Sequence, residues 1–195
     1  MKEHIVAQLR ESAELKLRFA KDSVESIISA TEMIQKAFRS GGKVLVFGNG
    51  GSAADAQHIA SEFVNRFLKE RKALPAISLC TDSSILTSIG NDISFANIFS
   101  RQIEALGRKG DVAWAISTSG KSKNVVKALE VARSLGLKTI ASVGEDTTRV
   151  ADLCDCILKV PSKSTPRIQE LHITVAHIIC ELVEQELTKK ISQEG

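Results

Sequence analysis

The amino-acid sequence predicts an α/β fold built on a doubly wound, parallel five-stranded sheet with helices on its faces. Short apolar runs alternate along the chain with longer amphipathic segments, which is the pattern of repeated strand–helix units. The first run, Val-Leu-Val-Phe at residues 44–47, is apolar with two β-branched residues, as expected of a parallel strand buried on both faces. Ligands of such sheets bind beyond the carboxyl ends of the strands. The candidate sites are therefore the loops that follow strands.

The chain opens with two predicted amphipathic helices, at residues 2–20 and 22–39, whose apolar residues recur at helical spacing. Gly41 and Gly42 follow the second helix, and residues 43–47 predict the first strand. The remaining predicted elements are helix 53–67, strand 75–80, helix 83–89, helix 94–106, strand 111–116, helix 122–135, strand 138–143, strand 155–160 and helix 166–190. We expect a single domain over residues 1–195, with a helical region at 1–40 and the α/β core with the C-terminal helix at 41–195.

The last predicted helix, 166–190, carries apolar residues over more than one stripe of its surface. One core cannot bury all of that surface. Together with the two amphipathic helices at the front of the chain, this pattern predicts contacts between terminal helices of different subunits. We therefore expect a symmetric homo-oligomer, with a homotetramer as the specific expectation.

Composition excludes several classes of partner. The 26 basic and 23 acidic residues are spread along the chain, so the net charge of +3 predicts no nucleic-acid surface and remains compatible with a small anionic substrate. No window approaches the roughly 18 apolar residues of a membrane span, and the N-terminus lacks the apolar run of a signal peptide. The four cysteines show no C-x-x-C spacing. We expect a cytoplasmic protein with reduced thiols and no membrane partner.

The first loop of interest is Gly-Asn-Gly-Gly-Ser-Ala at residues 48–53, between a predicted strand and a predicted helix. Backbone N–H groups at such a helix start favour an anion. The loop also fits the permissive dinucleotide pattern G-x-G-x-x-A, but no acidic residue stands at a strand end about 20 positions further on. A tight turn of purely structural origin is the other alternative. We expect no nucleotide cofactor.

The second loop is Ser-Thr-Ser-Gly-Lys-Ser at residues 117–122, again after a strand and before a helix. Its hydroxyl groups and helix N–H groups can hold a phosphate monoester. An ordinary serine N-cap explains the loop equally well. Because both loops are expected at the same edge of the sheet, the pair favours a sugar phosphate, with one loop on the phosphate and the other on the carbon chain.

Two helices carry candidate catalytic or metal-binding side chains. His58 and Glu62 are spaced i, i+4 and lie about 6 Å apart along one helix face, which suits a metal ion or an acid–base pair, although such pairs are more often ordinary surface pairs. In the last helix, Gln169, His172 and His177 interrupt an apolar sequence. A histidine in such surroundings is either a hydrogen-bonded core residue or a ligand. Gln169 and His177 are separated by about 12 Å of helical rise, so joint ligation requires a late helix start or adjacent subunits.

These motifs resemble, in order and over nearly the whole chain, the phosphoheptose isomerases of the sugar-isomerase (SIS) domain group. The likeness is densest at residues 48–67, 75–92, 117–122 and 161–182. It implies an aldose–ketose isomerase that converts sedoheptulose 7-phosphate to D-glycero-D-manno-heptose 7-phosphate through an enediol, the first step of heptose nucleotide and lipopolysaccharide precursor synthesis. The resemblance also implies a homotetramer with active sites at subunit interfaces.

The resemblance implies one zinc ion per active site and assigns Glu62 and His177 as the catalytic residues. Its zinc ligands fall on His58, Glu62, Gln169 and His177. Its substrate contacts fall on Asn49, Gly50, Gly51, Glu62, Asn91, Asp92, Ser117, Thr118, Ser119, Ser122 and Gln169. Of these, the Asn91–Asp92 pair follows from the resemblance alone.

Two departures and one rival function accompany the resemblance. Lys121 stands where the family has a small polar residue, and Thr147 and Thr148 replace a glycine pair, so the finer shape of the phosphate site differs. The rival function is non-catalytic sugar-phosphate binding, as in a similar bacterial replication-initiator-associating protein. That relative lacks counterparts of Glu62 and His177, which this chain keeps, so the resemblance favours the enzyme.

Overall fold

The computed structural model describes residues 1–189, which form a five-stranded sheet between two layers of helices. The helices are α1 (Lys2–Arg39), α2 (Gly51–Val64), α3 (Ser83–Asp92), α4 (Ser100–Leu106), α5 (Lys123–Ser134) and α6 (Thr165–Lys189). The strands are β1 (Val44–Gly48), β2 (Ala76–Ser78), β3 (Val112–Ser117), β4 (Lys138–Val143) and β5 (Cys156–Lys159). Two 3-10 turns lie at Phe95–Asn97 and Ala151–Leu153. No helix among residues 1–189 is both long and apolar enough to cross a membrane.

The strands pair in the order β2-β1-β3-β4-β5, and all four pairings are parallel. The predicted doubly wound, parallel five-stranded sheet is therefore confirmed. From β1 the chain first adds β2 on one side and then adds β3, β4 and β5 on the other side. The order of strands therefore reverses between β1 and β3, where Gly48 pairs with Ile116. In a sheet of this order the ligand crevice lies at that switch point. The loops after β1 and β3 are the two loops singled out from the sequence.

Side chains alternate between the two faces of the sheet and build a core on each. Val44 and Val46 pack with α1, α2 and α6, whereas Leu45 and Phe47 pack with α3, α4 and α5. Both sets are buried, which explains why the run is apolar throughout. The helices α2 and α6 therefore share one face of the sheet, beside the switch point.

The prediction of two helices at residues 2–20 and 22–39 is wrong, because Lys2–Arg39 is one helix of 38 residues. The chain has no glycine or proline between these bounds, so nothing interrupts the backbone hydrogen bonds. The helix ends before Gly41, whose φ of 78° lies in the left-handed region that glycine tolerates. Before Leu15 every residue of the helix is exposed or half-buried, so this part of the helix contacts little of its own chain.

Other boundaries also differ from the prediction. The segment 94–106 is a 3-10 turn followed by α4, because the Ser94 hydroxyl accepts a hydrogen bond from the Ala96 N–H and starts a separate turn. The edge strand β2 spans three residues, since the Thr81 hydroxyl bonds back to the Ser78 carbonyl and bends the chain. Helix α3 continues to Asp92. Residue 190, the predicted end of the last helix, lies outside the described residues.

Candidate active site

A pair of asparagine side chains joins the two loops at the switch point. The Asn49 amide donates to Asn124 Oδ1 at 2.9 Å, and the Asn124 amide donates to Asn49 Oδ1 at 2.8 Å. Asn124 is buried in the first turn of α5. Between Asn49 and α2 the chain turns at Gly50, whose φ is 57°. The reciprocal pair fixes the spacing of the glycine loop and the serine loop.

The serine loop does not use its last serine as a helix cap. Ser122 occupies the N-cap position of α5, but its side chain makes no capping hydrogen bond. Its hydroxyl lies 3.4 Å from the hydroxyl of Ser117 instead, and the Ser119 hydroxyl accepts from the Lys121 N–H at 3.2 Å. The O–H group of Ser119 can therefore donate to a ligand, and the N–H groups of Lys123 and Asn124 begin α5 next to it, whereas those of Val125 and Val126 bond to the Ser122 carbonyl. This geometry favours anion binding over the simple N-cap alternative.

Beside the serine loop lies a cavity of about 530 Å³ that contains both departures from the family pattern. Lys121 Nζ pairs with Asp146 at 2.6 Å, and the Thr148 hydroxyl donates to the same carboxylate at 2.6 Å. These hydrogen bonds hold the pKa of Asp146 well below its usual value. The cavity is lined by Thr118, Ser119, Lys121, Glu145, Asp146, Thr147, Thr148, Ser162 and Lys163. The unusual residues thus form one connected wall next to the predicted phosphate loop.

Three of the four predicted zinc ligands come together between α2 and α6. His58 Nε2 lies 2.9 Å from Glu62 Oε1 and 3.3 Å from His177 Nε2. One ligand atom of each residue lies within 4.8 Å of the others. Two of the residues share one face of α2, and His177 projects from the middle of α6. Imidazole and carboxylate groups at these separations can share one divalent cation or pass protons between them.

The fourth predicted ligand, Gln169, lies against the glycine loop. A Cβ atom added at Gly51 would lie 2.9 Å from Cδ of Gln169, so a side chain at this position would displace the Gln169 amide. Helix α6 begins at Thr165, which places Gln169 in its second turn. Gln169 thus contacts the start of α2, and His177 contacts its middle. The two helices therefore run side by side in the same direction and present their polar residues to each other.

Asn91 and Asp92 occupy the exposed C-terminal end of α3, where the Asn91 amide donates to Asp92 Oδ1 at 2.7 Å. Within residues 1–189, neither side chain hydrogen-bonds to the glycine loop or the serine loop. The structure therefore does not join this pair to the other predicted site residues within one chain.

Sequence reasoning missed three residues that shape the site. Asn124 hydrogen-bonds to Asn49 of the glycine loop, and the only sign of this in the sequence is a polar residue in the first turn of a predicted helix. Phe67 lies in the connector after α2, and its ring stacks at 5.5 Å between centroids on the ring of His177. Asp55 Oδ2 is buried without a hydrogen-bond partner among the described residues, and burial raises the pKa of this carboxyl while nearby His58 opposes the shift. Neither Phe67 nor Asp55 has a local pattern that separates it from core or surface residues.

Comparison with known proteins gives the family. The model of the SIS domain matches residues 9–144. The phosphoheptose isomerase of Clostridium acetobutylicum is 51% identical over 189 residues, with 96% of each chain covered. That of a Geobacter species is 54% identical over 190 residues, covering 97% of this chain and 99% of the relative. This chain belongs to the phosphoheptose isomerase family.

Solved structures agree with membership of the phosphoheptose isomerase family. The phosphoheptose isomerase of Neisseria gonorrhoeae superposes with a TM-score of 0.90 at 41% identity, covering 94% of this chain and 98% of that one. The sugar isomerase domain of an RpiR transcription factor from Sphaerobacter thermophilus matches with a TM-score of 0.63 at 18% identity, and this likeness shows the fold alone. The same fold therefore occurs in a regulator, while the sequence likeness is to the isomerases.

Proposed function

We propose that the chain is an aldose–ketose isomerase that converts sedoheptulose 7-phosphate to D-glycero-D-manno-heptose 7-phosphate. The observation that carries the proposal is the cluster of His58, Glu62 and His177 beside two anion-binding loops, in a chain about half identical to phosphoheptose isomerases. Such a reaction needs a base for the carbon-bound proton, an acid for the carbonyl oxygen and a binding site for the phosphate group. Each requirement has a candidate among the described residues.

Glu62 is proposed as the base that removes the proton from the carbon beside the carbonyl and returns it to the neighbouring carbon. His177 is proposed as the group that moves protons at the oxygen atoms, so that the intermediate is a cis-enediol. Their ligand atoms lie within 4.8 Å of each other, so both groups can reach adjacent atoms of one substrate. Both side chains project from helices, which hold them more rigidly than loops would.

The residues fit a zinc ion. Two imidazoles and a carboxylate within 4.8 Å form the three-ligand set that catalytic zinc prefers, with a position left for substrate. We propose one ion per active site, held by His58, Glu62 and His177, with the amide oxygen of Gln169 from an adjacent subunit as a further ligand, because Gln169 and His177 of one α6 are about 12 Å apart along the helix. When bound, the ion would polarise the substrate carbonyl without redox chemistry. No nucleotide cofactor enters the proposed reaction.

The phosphate is proposed to bind at the serine loop, through the hydroxyls of Ser117, Thr118, Ser119 and Ser122 and the N–H groups at the start of α5. Asn49, Gly50 and Gly51 of the glycine loop are proposed to meet the carbon chain together with Gln169. Asn91 and Asp92 complete the proposed set of substrate contacts. Their exposure on α3 suits contact with a ligand bound where subunits meet.

We propose a cytoplasmic homotetramer with active sites at subunit interfaces, supplying heptose for lipopolysaccharide precursors. The support is the apolar surface of the terminal helices, since Leu9 and Leu17 of α1 are 68% and 69% exposed and Ile178 and Leu182 of α6 are also exposed. Light scattering on dilute protein tests the assembly. A monomer of 21.1 kDa would contradict both the interface and the shared site.

The proposed function is tested by incubating the purified, zinc-supplemented protein with sedoheptulose 7-phosphate in deuterated water. We expect an aldoheptose phosphate and substrate that carries deuterium at the isomerising carbon. The His177→Gln variant is the matched control and should lose most of both signals. Binding of the sugar phosphate without any exchange of hydrogen would instead support the rival, a non-catalytic binding protein.

A further inference from the structure

The end of α6 carries a buried carboxylate that belongs to none of the proposed catalytic, metal or substrate residues. Glu184 is 1% exposed. Its Oε1 accepts the Phe67 N–H at 2.9 Å and Nε of Arg71 at 3.0 Å, and its Oε2 accepts the N–H groups of Leu68 and Lys69 at 2.7 and 2.8 Å. Burial alone would raise the pKa of this carboxyl. The three backbone N–H donors and the guanidinium lower the pKa by more than burial raises it, so it lies below its usual value. The carboxylate is therefore charged and fully bonded inside the protein.

The partner of this carboxylate holds the C-terminal end of α2. The Arg71 side chain is 3% exposed. Its guanidinium donates to the carbonyl of Glu62 at 2.7 Å and to that of Phe63 at 2.9 Å. These carbonyls belong to the last turn of α2, where backbone acceptors lack partners within the helix. Arg71 thus bonds directly to the backbone of the residue proposed as the base at carbon.

The same pair controls the surroundings of the proposed acid. Glu184 holds the backbone of Phe67, and the Phe67 ring lies 5.5 Å from the ring of His177 with an angle of 35° between the planes. His177 and Glu184 are seven positions apart, so they project from the same face of α6. One ion pair therefore holds the backbone of the proposed base on α2 and the aromatic wall beside the proposed acid on α6.

We infer that Arg71 and Glu184 are positioning residues for the isomerisation proposed above. They set the separation of Glu62 and His177 by tying the end of α2, the connector at 65–72 and the end of α6 to one another. The inference rests on the proposed function for its kinetic consequence, but its structural consequence can be measured in the resting protein. Groups that orient catalytic or metal-binding side chains typically affect activity or metal affinity about 10–100-fold.

A second buried ion pair provides a matched control at the opposite edge of the sheet. Asp111 accepts from Lys43 Nζ at 2.6 Å and from the N–H groups of Lys43 and Arg108 at 3.0 and 2.8 Å. It is a buried carboxylate with one cation and backbone donors, like Glu184, but it lies at the amino ends of β1 and β3. Loss of this pair should affect stability without affecting the site.

The experiment compares Glu184→Gln, Arg71→Lys and Phe67→Leu with Asp111→Asn. The chain has four histidines, so histidine labelled with carbon-13 in the ring gives a simple spectrum, and His177 is identified by the signal that the His177→Gln variant lacks. In metal-free protein we expect the first three variants to move the His177 ring signal, because the ring current of Phe67 changes. With Zn²⁺ added we expect kcat to fall about 10–100-fold with little change in KM. The Asp111→Asn variant should show neither effect.

The opposite pattern would overturn the inference. If Glu184→Gln or Arg71→Lys lowers the melting temperature but leaves both the His177 signal and kcat at wild-type values below that temperature, the pair only stabilises the fold. If Glu184→Gln does not fold, Arg71→Lys decides the matter in the same way, and Phe67→Leu gives the His177 shift expected when the ring contact is lost. If wild-type protein does not isomerise the heptulose phosphate, the proposed function fails, and the His177 signal still decides whether the pair positions that ring.

Discussion

The two edges of the sheet treat polar side chains differently. At the amino edge, Asp111 pairs with Lys43 Nζ at 2.6 Å and accepts its N–H at 3.0 Å. Asp155 pairs with Lys138 Nζ at 2.7 Å and accepts the Thr139 N–H at 2.9 Å. Burial alone would raise the pKa of Asp155, but the Lys138 and Thr139 donors outweigh it and the pKa lies below its usual value. The carboxylates at this edge are bonded within the fold.

At the carboxyl edge the Asn49–Asn124 pair is bonded, but several other buried polar atoms among the described residues lack a hydrogen-bond partner. Among residues 1–189, every buried side-chain nitrogen or oxygen without a hydrogen bond lies on α2 or on the first half of α6, in Asp55, Arg167, Glu170 and His172. Both helices start from loops at the carboxyl ends of strands. Unpaired buried polar groups cost free energy. The bonded carboxylates of the amino edge contribute to stability, and the unpaired atoms of the carboxyl edge support the proposal that a ligand binds there.

The largest expected effect at the carboxyl edge is that of Glu62→Gln. The amide keeps the shape of the side chain but cannot accept a proton from carbon, so we expect kcat to fall about 10²–10⁴-fold or more while the sugar phosphate still binds. Stopped assays with sedoheptulose 7-phosphate measure the rate. Zinc content is measured beside it, because Glu62 is also a proposed ligand. A fully metallated variant with wild-type kcat would show that Glu62 is not the base.

The amino edge should respond in stability alone. Asp111→Asn breaks a buried pair whose lysine is 22% exposed, so we expect the free energy of unfolding to fall by about 3 kcal/mol, near the lower end for buried pairs. Urea unfolding at fixed protein concentration measures the change. The more exposed pair of Asp155 is the control, and Asp155→Asn should cost less. If Asp111→Asn lowered kcat as much as a variant of the proposed site, the amino edge would contribute to activity as well as to stability.

The unpaired histidine of the carboxyl edge should make stability depend on pH. Burial lowers the pKa of His172 from 6.5 to about 4, and the nearby Val143 carbonyl opposes the shift. In the unfolded chain His172 therefore binds a proton below pH 6.5, whereas in the folded chain it binds this proton only below about pH 4. Stability is retained above pH 6.5 and lost as pH falls, by about 2.5 kcal/mol near pH 4.5.

Urea unfolding between pH 7 and pH 4.5 measures this dependence against the His172→Gln variant, whose curve should be flatter by that amount. The exposed His4 provides the control, since His4→Gln should leave the curve of the wild-type protein unchanged. Parallel curves for wild type and His172→Gln would show that His172 titrates normally in the folded protein.

The smallest expected effect separates binding from chemistry. Ser119→Ala removes one hydroxyl of the serine loop, so we expect KM for the sugar phosphate to rise about 10-fold, near the lower end for the loss of one hydrogen bond to a charged group, while kcat changes less. The matched control is Ser134→Ala at the other end of α5, where the hydroxyl bonds only to the Val131 carbonyl at 2.8 Å. If the two variants change KM equally, Ser119 does not bind the phosphate.

Local patterns predicted the sheet well because the central strands β1 and β3 are apolar up to their last residues, Gly48 and Ser117. They failed where no local signal exists. The break predicted near residue 21 had no glycine or proline behind it, and the helix runs on. The contacts of Asn49 with Asn124 and of Glu184 with Phe67 join residues 75 and 117 positions apart, so no periodicity reports them. The spacing of Asn91 and Asp92 indicates no function, so their prediction as substrate contacts came from the family resemblance alone.

The reciprocal amide pair of Asn49 and Asn124 has a consequence for redesign of this enzyme family. The two amides bond to each other, so replacing Asn49 leaves the buried amide N–H group of Asn124 without its acceptor. The two loops are therefore one module, although the chain makes them from distant segments. Substrate range should be altered by transplanting both loops together, and libraries that vary one loop alone will sample mostly misaligned sites.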